Sequence, residues 1–345
     1  MPNIQKTYFF RDHPIVGLTI AHGHAEIMQV TQTKQASTIV AYGSTSFDPA
    51  AIENGVIVQP EQVAAALQKL IETRMQGSIS TKRLALSMPS MMTFSRIVTL
   101  PKLSDEEIRE SVSLEVEQYT PIAIDKLYVD YTVIQTTENG VEVLTVAAVK
   151  DAVDSYLEVA RLLQLEPVLI ETKVDSVRRL FARTEKGKSP TMLLDFDANM
   201  VDISIVERDL IATSSVSISP SLKSQIAEAL TTNLKFDETN ANQQNPDNVS
   251  ELTTFIKEIR RMIRFYEERY NQTRHIEHIV LIGEDAPIMD FATLLTDRLR
   301  LPVHSVDLWR TLRFDTHLTP IAIQDRSKYI TVAGLASANY RELFS

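Results

Sequence analysis

The sequence contains no cysteine and only nine glycines in 345 residues. Without cysteine there are no disulfides, no thiol nucleophile and no Cys-ligated zinc or iron–sulfur centre. A reducing cytoplasm is therefore the expected setting. The glycines stand at 17, 23, 43, 55, 77, 140, 187, 283 and 334, never adjacent and never as GxGxxG or GxxxxGK[ST]. Phosphate cradles use glycine because the backbone must come close to the anion and often adopts positive φ. A conventional nucleotide-dependent enzyme is thus hard to write with this chain.

Long apolar runs are lacking too. The mainly apolar stretch 141–149 is far shorter than the roughly 20 residues a membrane-spanning helix needs. Residues 1–14 carry scattered charge without an apolar centre, so they read as an N-terminal extension and not as a secretory signal. Basic side chains number 35 against 45 acidic ones, a net charge of −10. That balance disfavours nucleic acid, whose phosphates call for a basic face, and direct insertion into anionic membranes. The most basic segment places Lys257, Arg260, Arg261, Arg264 and Arg269 among Glu258, Glu267 and Glu268, the pattern of a solvated helix face.

What is present is an ordinary globular composition, 44% apolar and 23% charged, with length enough for two domains. Two stretches share one layout. Residues 15–30 (IVGLTIAHGHAEIMQV) and 191–206 (TMLLDFDANMVDISIV) each read as an apolar strand, a short turn and an alternating strand. The second continues into a strand near 210–218, and its start half a chain after the first suggests two similar domains, each opened by a β-meander. Further strands are expected at 83–88, 96–100, 128–135, 141–149, 167–170, 278–282 and 303–306. Helices are expected at 60–73, with Pro60 in its first turn; from the Ser104/Glu107 capping box to Tyr119; at 151–163; and at 252–270. The polar run 237–248 (DETNANQQNPDN) reads as a mobile surface loop, and 184–190 (TEKGKSP) suits a domain boundary.

The segment 86–130 carries Pro89, a strand ending in Leu100-Pro101, the helix from Ser104, and Glu117-Gln118-Tyr119 followed by Pro121. It resembles the PilM family of type IV pilus assembly proteins, relatives of the division protein FtsA. The strand–helix pair in 146–171, the helix around 258–266 (EIRRMIRFY), and the segments 278–306 and 329–336 extend the resemblance over about 14–338. It implies an α/β, actin-like ATPase (ribonuclease H-like) fold of two similar domains with a small inserted subdomain of the type called 1C. The implied boundaries are 15–87 with 166–188 for domain 1, 88–165 for the insert and 189–340 for domain 2. It also implies a cytoplasmic scaffold of a type IV pilus, or of a related secretion or competence machine. Such a scaffold captures the N-terminal cytoplasmic tail of a PilN-like single-pass membrane partner, is recruited by it to the inner face of the membrane, and contacts other cytoplasmic subunits. Family members hold that tail in a groove between the first subdomain and the insert. Phe94, Ile97, Val98, Leu100, Ile108 and Val112 are the residues expected there, each with a core role as its competing reading.

The resemblance also implies an ATP site between the domains, and the sequence departs from all three of its motifs. Beyond Gly17, Thr19, Ala21 and Glu26 stand where an Asp-x-Gly turn and a later lysine are expected. Asp195 is retained in the second motif, but Asp197 replaces its glycine and Val201 its hydroxyl residue. Gly283-Glu284-Asp285 replaces a Gly-Gly turn. These nine positions, without Val201, make a vestigial nucleotide site crowded with carboxylates where a polyphosphate needs N–H donors and cations. The expectation is a pseudo-ATPase with no cofactor and no metal. ATP with magnesium, gating the docking of the partner, is the alternative.

Other constellations have plainer readings. His22 and His24 flank Gly23 but lack a visible third metal ligand, and His275 and His278 precede a strand. Asp195 could act as a general base in a sugar-kinase relative, yet no glycines hold the phosphates. Trp309 and Met91-Met92 suit either core or a protein-contact surface. A division-type, FtsA-like polymer former would need a C-terminal amphipathic helix, and 335–345 (LASANYRELFS) shows none.

Overall fold

The computed structural model describes residues 14–32, 37–138, 140–185, 189–197, 200–207, 210–232, 251–270, 272–283 and 288–338. The loop expected at 237–248, Glu284 and Asp285, and the C-terminal stretch from 339 lie outside the described residues.

Strands β1 (Ile15–Ala21), β2 (His24–Gln32) and β3 (Ser37–Ser46) form an antiparallel meander. A small hairpin of β4 (Ile52–Glu53) and β5 (Val56–Ile57) leads into helix α1 (Pro60–Thr73), whose proline sits where no intrahelical N–H is needed. After β6 (Gln76–Gly77), β7 (Arg83–Met88) returns parallel to β1. Next come β8 (Thr93–Leu100), helix α2 (Asp105–Tyr119), β9 (Leu127–Thr137) and β10 (Gly140–Val149). Helix α3 (Lys150–Leu162) and β11 (Glu166–Thr172), parallel to β7, complete the first half. Helix α4 (Lys173–Thr184) crosses to the second.

There β12 (Thr191–Phe196), β13 (Met200–Val206) and β14 (Leu210–Ser217) form another antiparallel meander. Helices α5 (Pro220–Thr232) and α6 (Glu251–Arg269) precede β15 (His278–Gly283), which is parallel to β12. Helix α7 (Ile288–Leu299), β16 (Val303–Ser305), β17 (Leu312–Phe314) and helix α8 (Ile330–Ala336) follow.

The strand orders reveal the repeat. One sheet runs β11-β7-β1-β2-β3 and the other β16-β15-β12-β13-β14, the same path of meander and parallel returns. They differ beyond the third meander strand. β17 adds to β3, whereas β14 is joined by β8, β10 and β9 through a single ladder contact, Ala212 with Arg96.

The halves pack as layers. Helices α1 and α3 cover the outer face of the first sheet, burying Val63, Leu67, Leu70, Tyr156 and Val159 with Leu18, Ile27 and Leu84. Helices α5, α6 and α7 cover the second sheet, where Phe196, Phe255 and Phe291 form an aromatic cluster. Side chains of this size are worth about 1.5–3 kcal/mol each when fully buried. Between the sheets lie α4 and α8, whose Val177, Leu180, Val332 and Ala333 meet residues of both. Their approach is close. A Cβ on Gly334 would lie 2.0 Å from the Ser176 carbonyl oxygen, and one on Gly17 would lie 2.8 Å from the Ala336 nitrogen. Within the segment expected as the insert, β8, β9, β10 and α2 enclose their own small core. Helix α3 lies instead on the first sheet, beside α1.

Candidate functional site

The equivalent hairpins of the two halves, β1–β2 and β12–β13, face each other across a cavity of about 480 Å³. Thr19, Ala21, Glu26, Asp195, Asp197 and Gly283 all line it. Gly17 does not; it is the position in mid-strand where α8 presses on β1. Gly283 has φ +109° and a Cβ there would fall 1.9 Å from the Phe196 carbonyl oxygen, so its glycine is required by the β12–β15 pairing itself.

In the first hairpin Thr19 is paired across the ladder with Glu26. The threonine hydroxyl donates to the buried Glu26 carboxylate at 2.9 Å, and His24 Nε2 lies 3.7 Å from it. His22 is exposed, and among the described residues no group of three or more His, Asp or Glu side chains is arranged to hold a metal.

The second hairpin pairs Asp195 with Asp202 at the corresponding place. Two carboxylates directly opposite on a ladder repel, and both are buried here, at 8% and 4% exposure. The compensation comes from Lys173, the first residue of α4. Its ammonium lies 3.0 Å from Asp195, 3.3 Å from Asp197 and 3.4 Å from Asp202. Asp202 also accepts hydrogen bonds from the hydroxyls of Ser215 at 2.7 Å and Ser90 at 2.8 Å. Ser90 follows β7 of the first sheet, so the network ties the halves together.

Charge sharing in this cluster is uneven. Burial alone favours a neutral Lys173, but Asp195, Asp202 and Asp197 outweigh it and raise its pKa above the usual lysine value. Burial pushes the Asp195 carboxyl up to about 6; Lys173 pulls it down, while Asp202 and Asp197 push it further up. One cation among three carboxylates keeps its own proton and leaves one carboxylate easily protonated.

The cavity wall therefore offers Glu26, Asp195, Asp197 and Asp202 against Lys173 and Lys328. Lys173 is already engaged by three carboxylates. A magnesium-bound triphosphate asks for free cations and backbone N–H groups, and these residues do not fit one.

Sequence reasoning missed Lys173, Asp202, Ser90 and Ser215. Two signals pointed there: the seven-residue spacing common to Thr19/Glu26 and Asp195/Asp202, and Thr172 as N-cap with Asp175 three residues on.

The six residues expected in a partner groove are not together on a surface. Val98, Leu100, Ile108 and Val112 are buried in the core between α2 and its sheet, where Phe94 packs half-buried. Ile97 points to the core of the second half. Exposed apolar side chains stand elsewhere, around β4–β5, the turn after β7, the start of β9 and α3: Val58, Met91 and Tyr128 are 45%, 48% and 46% exposed. Met91 and Met92 lie over Gly55, Ile57 N–H donates to the Ser155 hydroxyl at 3.0 Å, and the Tyr128 hydroxyl donates to Asp154 at 3.0 Å. Exposed Glu53, Asp151 and Asp154 border these side chains. Met91 also lines the cavity, one residue from Ser90. Trp309 is buried, stacked on Phe314.

Residues 17–340 match the family model described as type IV pilus assembly protein PilM. Among solved structures, a PilM-PilN type IV pilus biogenesis complex matches with a TM-score of 0.73 at 21% identity, over 96% of this chain and 99% of that one. A Bacteroides thetaiotaomicron protein with an actin-like ATPase fold and unknown function matches with a TM-score of 0.46 at 11% identity, covering 94% and 96%. The ethanolamine utilization protein EutJ of Carboxydothermus hydrogenoformans gives 0.45 at 12% identity, covering 93% and 88%. No curated protein matches the chain.

Proposed function

The chain belongs to the PilM family of type IV pilus assembly proteins, has its actin-like fold, and from that premise we propose that it is a cytoplasmic scaffold working by partner binding. Its partner is the N-terminal tail of a PilN-like single-pass membrane protein, which brings it to the inner face of the membrane within reach of other cytoplasmic subunits of the machine. Among the described residues no helix is long and apolar enough to cross a membrane.

The observation that carries this reading is the rim of Val58, Met91 and Tyr128 between the first half and the inserted strands. Three large apolar side chains, each nearly half exposed, stand on neighbouring elements: Met91 lies over Gly55 beside the β4–β5 hairpin, Ile57 bonds Ser155 of α3, and Tyr128 bonds Asp154 of the same helix. Such patches mark interaction sites. The acidic border of Glu53, Asp151 and Asp154 suits a tail that mixes apolar with basic residues. Titration calorimetry of the full chain with that tail peptide tests it. V58D/M91D should weaken binding at least tenfold, while L114D, at a 62% exposed apolar position on α2, should leave it within twofold. Equal binding by the V58D/M91D variant would remove the rim from the interface.

The nucleotide part of the reading is a pseudo-ATPase: carboxylates and a saturated Lys173 stand where phosphates would need donors. One observation favours the alternative of ATP-gated docking. A cavity of about 480 Å³ between the halves has the size of a small-molecule site. Binding of magnesium ATP to the full chain separates the two.

A further inference from the structure

In an actin-like fold a magnesium nucleotide is the implied occupant of the cleft, and the residues present do not fit it. We propose that Lys173 is a tethered cation that takes the place of a soluble one, clasping the second half of the molecule to the first from inside the cleft.

Three features carry this. The first is geometry. One ammonium lies 3.0–3.4 Å from an oxygen of each of Asp195, Asp197 and Asp202, which surround it in a single shell. An oxygen-ligated magnesium needs about 2.0–2.1 Å, so the shell is spread to the span of an ammonium and holds no metal while Lys173 is in it. The second is origin. Lys173 directly follows β11, an edge of the first sheet, whereas its three partners belong to the β12–β13 hairpin of the second. The third is rigidity. Thr172 caps α4 through a bond from the Asp175 N–H at 3.1 Å, and the helix is wedged against α8 where Gly334 meets Ser176. A buried helix thus presents the ammonium, and a flexible surface lysine could not hold three carboxylates so closely.

The chemical consequence is a cleft whose charge balance is written into the chain. A free cation can be lost to a chelator, and a bound nucleotide can be hydrolysed; a lysine side chain can be neither. The two halves then stay joined in every state of the machine, which suits a scaffold more than a switch. This inference rests on the nucleotide-free reading of the cleft.

The test is rescue by an added cation. In the full-length chain, Lys173→Ala leaves the carboxylates without their counter-ion and opens space for another. The thermal midpoint is followed against manganese, magnesium and ethylammonium chlorides, with sodium chloride at matched ionic strength as control. For the wild-type chain a chelator and 10 mM magnesium, as about the highest concentration in use, should leave the midpoint within about 1 °C. The variant should start lower and regain at least half of the loss, saturably, with manganese or ethylammonium and not with sodium. A folded variant that no cation rescues, or a wild-type chain raised by magnesium as much as the variant, overturns the proposal.

Should K173A not fold, Lys173→Gln, neutral and of similar reach, is read the same way. A double-mutant cycle of K173Q with D202N must then show coupling, and additivity would count against the clasp. The probes are cations alone, so stabilisation of the wild-type chain by magnesium ATP, which would end the nucleotide-free reading, is read separately from rescue.

Discussion

The two hairpins that face each other across the cleft share strand order, register and spacing, yet they solve one electrostatic problem in different ways. In β1–β2 the paired positions are Thr19 and Glu26, and the hydroxyl satisfies the buried carboxylate locally. In β12–β13 they are Asp195 and Asp202, two acids that cannot satisfy each other. The second hairpin therefore borrows its cation from outside, and the lender is the helix entering from the other half. A hairpin whose acid has a hydroxyl opposite it on the ladder should be changed at the smaller cost. One that depends on Lys173 carries the junction of the molecule.

That difference is sharpest at Lys173 itself. K173M should be the most damaging of these substitutions, costing about 3–5 kcal/mol at pH 7, because it strands buried carboxylates. Urea unfolding at that pH measures it, and a loss below about 1 kcal/mol would make the two hairpins equivalent after all.

Asp195→Asn should act in the opposite direction and only in part of the pH range. A carboxyl at about 6 in the folded chain against roughly 3.9 unfolded holds its proton more tightly when folded. Its contribution is complete below about pH 4 and is lost as pH rises through 6. The wild-type chain should therefore lose up to about 3 kcal/mol over that interval from this group. The D195N profile should be flatter there and should meet or exceed the wild type at pH 7, less what its weaker bond to Lys173 removes. Unfolding midpoints from pH 4 to 7.5 would show it; parallel profiles would contradict it.

The smallest effect belongs to the hairpin whose acid faces a hydroxyl on its own ladder. Glu26→Gln keeps an oxygen for the Thr19 hydroxyl, so its stability should change by less than about 1 kcal/mol. A larger fall would mean that the Glu26 charge is also needed across the cleft.

Much of the frame was legible because the apolar periodicity is strong. The helix at Pro60–Thr73 was read to the residue, and the Ser104/Glu107 capping box is present as expected. The repeat of the meander was visible in 15–30 and 191–206, and the actin-like, PilM-type resemblance in 86–171. Helix α4 was not read. It lies between two sheets, so Ser176 and Arg179 are buried along with Val177 and Leu180, and polar residues interrupt its short apolar stripe. With it went Lys173, whose role depends on three residues 22 to 29 positions away. The side chains expected in a partner groove are mostly buried, for a related reason. The periodic apolar residues of β8 and α2 catch the eye because they are the core. Val58, Met91 and Tyr128 follow no period, and only tertiary structure sets their elements side by side.

A cleft held closed by Lys173 needs no nucleotide. Thermal unfolding of the full chain with and without millimolar magnesium ATP tests that most directly. A ligand at about 100 times its dissociation constant stabilises the native state by about 2.7 kcal/mol, a shift of several degrees. A cleft closed by Lys173 predicts no shift in a folded sample, and a clear rise of the midpoint would contradict it.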